Sequence, residues 1–398
     1  MKILFIPFYK YSHQIPILVL YKKYFSTLKN VKFAILLPDK DNRYAKEYSI
    51  ERLGFNYFPP SIDGNENYMN VSALPDFLKA KENVIKKFSP DIVVEDFDFE
   101  SAIFCQENSI PTISIQRTGV FRTSNPLYRN PLHTHSIEKE FINTRRIKVF
   151  NYKLYNPSDE NINDHRYYLA EYNSYSSKKS ISANAKIIPG INIIEPIPEC
   201  SNSQSYYYTG PLLPEDEKNA SLMNCINSFV NTHKSTPKVF LTTGLVEKQD
   251  ITPIFNILIK KGYAILTTVF PPYGINRSLI FYHPFLPLHF ISEKVDLIIH
   301  QCGNGIYHYP LLHDKPAITL GTQCYDREEV ALKLESLRLS THVPSPFDDP
   351  NYLEKFIIGI DKFENRNLCD FDQIKKIKTS IQNTMHNFNV NDLIRNIV

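Results

Sequence analysis

The 398-residue chain has no tryptophan, no Cys-x-x-Cys pair, little net charge and no long apolar run. Its six cysteines, Cys105, Cys200, Cys225, Cys302, Cys324 and Cys369, are widely scattered. A zinc site or a disulfide-stapled scaffold needs closer spacing, so neither is expected. A formal charge of +3 is too small to point to nucleic acid as a partner. No apolar stretch approaches the ~18 residues that cross a bilayer. The opening MKILFIPF is followed by polar YKYSHQ and by no small-residue cleavage site, so a cytoplasmic location is expected. No internal repeat of about 20–50 residues is present.

What is present is an ordinary globular composition, 42% hydrophobic and 22% charged. At a prior of roughly 150 residues per domain, two domains are expected. Charge is informative only locally. From Arg117 to Lys153, eight Lys and Arg face only Glu138 and Glu140. That region suits an acidic acceptor or an anionic membrane surface, and equally a solvated face.

Apolar strand runs alternate with helical spacing. Lys2–Pro7 reads as an opening strand, followed by a polar loop over Tyr9–Gln14 and a helix with Pro16 near its first turn. Leu18, Tyr21, Phe25 and Leu28 form its core-facing stripe. Further strands are read at 32–38, 91–96 and 111–116, with helical material at 76–88. Residues 151–204 are polar and less regular, with helical signal at 166–177. A second series of strands runs through 238–243, 264–268, 279–282, 295–299 and 317–320. Strands alternating with helices imply parallel sheets with right-handed crossovers. Between the two series YYYTGPLLPEDEKN reads as a strand followed by a Pro- and acid-rich connector, so the boundary is expected near Pro214–Asn219, giving domains 1–213 and 220–398.

The densest segment runs from Val295 to Leu334: VDLIIHQCGNGIYHYPLLHDKPAITLGTQCYDREEVALKL. A buried strand leads into Gly303, Asn304 and Gly305, whose backbone amides can approach an anion at the start of a helix. A phosphate fits such a turn. In the first half, His13 follows the opening strand, and Asp96 ends the strand IVVED. Histidine takes a proton near neutral pH, and a carboxylate on its other nitrogen fixes the tautomer. Glu95 and Asp98 are neighbouring acids, but strand alternation turns Glu95 to the opposite face. Asp96 can alternatively cap the following helix.

These motifs resemble the family-one glycosyltransferases, the group of plant and bacterial small-molecule glycosyltransferases with the GT-B fold. His300, Gly303, Gly305, Pro316 and Asp326 match that family's donor motif. Gln301 stands where the family has its phosphate-binding His, Tyr309 where a Glu holds ribose, Asp314 in place of the Gly of Gly-x-Pro, and Arg327 in place of Gln. The run Tyr11–Leu18 resembles Gly-His-x-x-Pro-x-Leu, with Ser12 for Gly. Thr243-Gly244 resembles a loop whose hydroxyl reaches the diphosphate, and Phe285 takes the place of a base-stacking Trp.

The resemblance implies an α/β GT-B chain, two Rossmann-like domains whose parallel sheets face across a cleft, with the terminal helix at 371–397 crossing back to the first domain. It implies an inverting, metal-independent glycosyltransferase of natural-product biosynthesis, with no cofactor beyond a UDP- or dTDP-sugar co-substrate and with a small-molecule acceptor. His13 and Asp96 would be catalytic. Thr243, Gly244, Phe285, His300, Gln301, Gly303, Asn304, Gly305, Tyr309, Asp326 and Arg327 would bind the donor. Contact with a membrane surface is not required. The departures at Gln301, Tyr309 and Arg327 motivate a second reading, a degenerate auxiliary that binds nucleotide or supports a partner enzyme. A sugar-nucleotide epimerase on the same fold accounts less well for His13.

Overall fold

The computed structural model describes residues 1–7, 11–38, 48–55, 75–96, 98–115, 183–196, 205–216, 219–243, 250–322, 325–346 and 349–398. The chain divides into two compact units: Met1–Pro214 with Gln382–Val398, and Glu215–Ile381. The basic region at 117–153 and the helical signal at 166–177 lie outside the described residues.

The first unit is a seven-stranded parallel sheet ordered β3-β2-β1-β4-β5-β6-β7. Its strands are β1 (Lys2–Pro7), β2 (Lys32–Pro38), β3 (Glu51–Phe55), β4 (Ile92–Asp96), β5 (Thr112–Ile115), β6 (Ala185–Ile188) and β7 (Tyr206–Tyr208). Alternate residues serve opposite faces, as the two-residue strand period requires. Ile3, Phe5, Ile35, Ile92 and Val94 pack with Ile17, Leu18 and Leu20 of α1 (Tyr11–Lys23). Leu4, Ile6, Leu36 and Val93 pack with Ile85 and Phe88 of α2 (Pro75–Phe88) and Phe104 of α3 (Phe99–Glu107). A sheet covered on both faces explains the near-continuous apolar strands.

Helix α1 begins earlier than its sequence indicates. The loop expected over Tyr9–Gln14 is helical from Tyr11, and Pro16 lies inside the helix. Proline removes one donor, the partner that the Ser12 carbonyl would have had, and so close to the helix start the rest of the ladder survives.

The second unit holds a six-stranded parallel sheet ordered β10-β9-β8-β11-β12-β13. In chain order come α4 (Ala220–Thr232), β8 (Lys238–Thr242), α5 (Thr252–Lys260), β9 (Ala264–Thr267), β10 (Ile280–Tyr282), α6 (Leu288–Lys294) and β11 (Leu297–His300). Then follow α7 (His308–Leu312), β12 (Ala317–Leu320), α8 (Tyr325–Ser336), β13 (Thr341–Val343), α9 (Tyr352–Glu364) and α10 (Phe371–Asn387). One face packs Val239, Leu241, Leu297 and Ile299 on Phe255 and Phe356, and the other packs Phe240, Leu266 and Ile298 on Ile226 and Ile291. Where β12 ends, a Cβ on Gly321 would stand 2.2 Å from the Ser345 nitrogen, so only glycine fits that close approach.

From Gln382 onward, α10 and α11 (Val390–Arg395) belong to the first unit. Val390 and Leu393 join its core beside Ile17 and Leu20. The Tyr24 hydroxyl donates to the Thr209 carbonyl at 3.1 Å, and its ring meets Phe388 edge-on at 4.7 Å. Among the described residues no helix is long and apolar enough to cross a membrane.

Candidate functional site

In each sheet the strand order reverses once, between β1 and β4 in the first unit and between β8 and β11 in the second. Loops leaving the carboxyl ends of strands diverge at such a switch point, which is where open α/β sheets bind ligands.

In the first unit, β1 and β4 end level, with Pro7 opposite Asp96. His13 stands in the first turn of α1, just beyond β1. Its Nδ1 lies 3.1 Å from Asp96 Oδ1, with side chains 21% and 3% exposed. A carboxylate only accepts, so Nδ1–H donates and Nε2 becomes the basic ring nitrogen. The other two acids work elsewhere. Glu95 is buried on the opposite face and accepts the Asp98 backbone N–H at 3.1 Å. Asp98 caps α3 by accepting from the Ser101 amide at 3.2 Å, and it pairs with buried Lys81. The capping role open to Asp96 is therefore performed by Asp98. Burial, with the Asp98 and Glu95 charges adding to it, pushes the nearby Cys105 thiol up to about 12.

In the second unit, Thr242 and His300 end adjacent strands level with one another. His300 is fully buried, and its Nδ1 accepts the Cys302 backbone N–H at 2.9 Å. Burial lowers its pKa to about 3, so the ring is neutral with its proton on Nε2. That Nε2 has no hydrogen-bond partner among the described residues. The bond holds Cys302 in the left-handed region at φ 52°, a conformation that costs a non-glycine residue about 1–2 kcal/mol. The Gly303 carbonyl then accepts from Ile306 and Tyr307, closing the turn that leads to α7. Since α7 has only five residues, its dipole is small, and what the turn at Gly303, Asn304 and Gly305 offers a ligand is its backbone amides.

Gln301 is buried, and its Oε1 accepts from Arg327 Nη1 at 3.3 Å. The Arg327 guanidinium lies over Gly303, 3.8 Å from where a Cβ would stand. Thr243 is half-buried just past β8. Gly244 lies outside the described residues, as does the side chain of Asp326, whose backbone is in the first turn of α8.

Two expected donor residues fall apart from this group. Tyr309 is 1% exposed, edge-on to His289 at 4.8 Å and parallel to His313 at 6.5 Å. The described contacts of this aromatic ring, which stands in place of a carboxylate, are in the packing between α6 and α7. Phe285 is 61% exposed in the loop after the edge strand β10, away from the β8–β11 switch point.

Sequence reasoning missed Glu328. It is buried, accepts the Thr322 backbone N–H, and holds His342 Nε2 at 3.2 Å. His342 Nδ1 in turn meets Thr319 Oγ1 at 3.0 Å. Its signal, an acid at a helix start, coincides with the expected Asp326 motif. Among the described residues no group of three His, Cys, Asp or Glu is placed to hold a metal ion.

No family model matches the chain, and no curated protein matches it in sequence. Solved structures match over its whole length. Medicago truncatula UGT71G1 complexed with UDP-glucose superposes with a TM-score of 0.70 at 14% identity, covering 100% of this chain and 98% of that one. A UDP-glucosyltransferase from Polygonum tinctorium capable of glucosylating indoxyl gives 0.68 at 13%, covering 99% and 98%. The calicheamicin glycosyltransferase CalG4 gives 0.60 at 14%, covering 96% and 94%. At such identities the likeness carries the fold, and the fold is GT-B.

Proposed function

We propose that the chain is an inverting glycosyltransferase, moving a sugar from a nucleoside diphosphate sugar to the hydroxyl of a small-molecule acceptor. The observation that carries this reading is the His13–Asp96 pair at a sheet switch point, in a chain with the GT-B fold. His13 Nε2 takes the acceptor proton while the oxygen attacks the anomeric carbon, and Asp96 stabilises the imidazolium that forms. The bond from that carbon to the phosphate oxygen breaks, and its electron pair leaves with the nucleoside diphosphate. The amides of the Gly303–Gly305 turn receive the new charge with no reorganisation. Acceptor chemistry belongs to the first unit and donor chemistry to the second, with a UDP- or dTDP-sugar as donor.

Incubation with UDP- and dTDP-sugars and a panel of phenolic and aliphatic alcohols tests this reading. Transfer giving a β-glycoside from an α-linked donor is the expected result. Retained configuration would remove the single-displacement mechanism, and nucleotide binding with no transfer to any acceptor would favour the auxiliary reading.

A further inference from the structure

Arg327 is placed unfavourably for a cation whose only task is structural. It lies in the first turn of α8, at the end of the helix where the backbone dipole repels positive charge. It is half-buried, and it forms no ion pair with a carboxylate among the described residues. Its one described hydrogen bond runs from Nη1 to the neutral Gln301 amide oxygen, which leaves most of a five-donor fork unused. The adjacent acid Glu328 is already engaged by His342 and the Thr322 amide.

What surrounds the guanidinium is the anion turn. The group lies over Gly303, 3.8 Å from the point where a Cβ would stand, and the absence of a side chain there leaves the space between them open. Gln301, the residue aligned with a phosphate-binding histidine, spends its carbonyl oxygen on holding Arg327. A positive charge is thus brought to the end of β11 from α8 and steadied by Gln301. A planar fork in this position matches two oxygens of a phosphate or carboxylate at once.

We propose that Arg327 binds an anionic oxygen of the donor, and that its place above Gly303 assigns it to the diphosphate. The inference rests on the reading of the second unit as a nucleotide-sugar site. A carboxylate on the donor sugar would offer the same chemistry, and the two sources separate by titration.

Titration calorimetry of wild type, Arg327→Gln and Arg327→Lys with uridine, UDP, UDP-glucose and UDP-glucuronate, repeated with the dTDP series, is the test. In Arg327→Gln, affinity for UDP and UDP-glucose should fall together by roughly 10- to 100-fold, the loss of about one charge-assisted pair, while uridine is unchanged. Arg327→Lys should recover part of the loss, since it restores the charge without the fork. Unchanged UDP affinity in Arg327→Gln overturns the proposal. A loss confined to UDP-glucuronate moves the contact to a sugar carboxylate and overturns the diphosphate assignment. The wild-type chain gives an independent reading: pyrophosphate should protect Arg327 from phenylglyoxal, as seen by peptide mass mapping, and full modification in its presence contradicts the contact. Absence of nucleotide binding by wild type would instead sink the nucleotide-sugar reading itself. Transfer activity with UDP binding insensitive to Arg327→Gln would sink this inference alone.

Discussion

The two switch points share a geometry and differ in how they treat charge. At β1–β4, a part-exposed histidine faces a carboxylate 3.1 Å away, while a second group of charges, Lys81, Asp98 and Glu95, is buried on the opposite face. At β8–β11, the histidine is buried, neutral and turned back on its own backbone, and a cation, Arg327, is brought in from a following helix. On the proposed function, one fold thus provides a place to move a proton and a place to hold an anion. The difference lies in whether the histidine at the switch point meets a carboxylate or a peptide N–H.

The sharpest way to break this contrast is at the first switch point. His13→Ala should lower transfer by about 10²–10⁴-fold, the ordinary worth of a general base, with little effect on folding because the side chain is not in the core. Asp96→Asn should lower kcat over a similar range with KM nearly constant, and steady-state kinetics with a matched circular dichroism spectrum would check both. Equal activity in His13→Ala would leave the first switch point without chemistry.

Next in size, Lys81→Met should destabilise the first unit by about 3–5 kcal/mol, because it leaves Asp98 and Glu95 buried without their cation. A denaturant midpoint unchanged from wild type would show that those carboxylates are not held as a charged group.

A smaller effect tests the neutral histidine. Folded, His300 resists protonation down to about pH 3, whereas in the unfolded chain it takes a proton near pH 6.5. The unfolded state binds more protons between those values, so stability is full above pH 6.5 and falls as pH drops toward 3. Burial moves His313 in the same direction. Between pH 6.5 and 5 the His300 contribution should be on the order of 1–2 kcal/mol, seen as a steeper pH dependence of unfolding in wild type than in His300→Gln. Parallel profiles would mean that the ring is charged when folded.

The smallest effect concerns Gly303. A Cβ there meets only ordinary contact distances, so Gly303→Ala should change stability by less than about 0.5 kcal/mol, whereas Gly303→Val should push the guanidinium aside and weaken UDP binding. Calorimetry on the two variants would show whether this turn needs glycine for backbone freedom or for room.

Strands covered on both faces were legible because they read as unbroken apolar runs, as at β1, β4 and β11. Three strands escaped for identifiable reasons. In β6 a lysine interrupts the run, yet Lys186 is buried, donating to the Ala183 carbonyl at 3.1 Å and lying over the Tyr206 ring. Strand β3 is a half-exposed edge carrying Glu51 and Arg52, and β13 has only Thr341, His342 and Val343. At the candidate site, His13 and Asp96 could be paired beforehand because strand ends and alternation place them. The Arg327–Gln301 bond and the contact of Tyr309 with His289 join elements distant in the chain, which no local spacing encodes, and the His300 tautomer depends on a turn that brings the Cys302 amide back onto the ring.

Val390 and Leu393 lie in the same core as Ile17 and Leu20 of the helix that carries His13. During synthesis, residues 382–398 leave the ribosome only after every residue of the second unit has done so. The usual order, in which the N-terminal unit folds first, is therefore reversed in its final step. The first unit begins first and finishes last, so in a nascent chain the Gly303–Gly305 turn can form before the helix that carries His13 is locked in place.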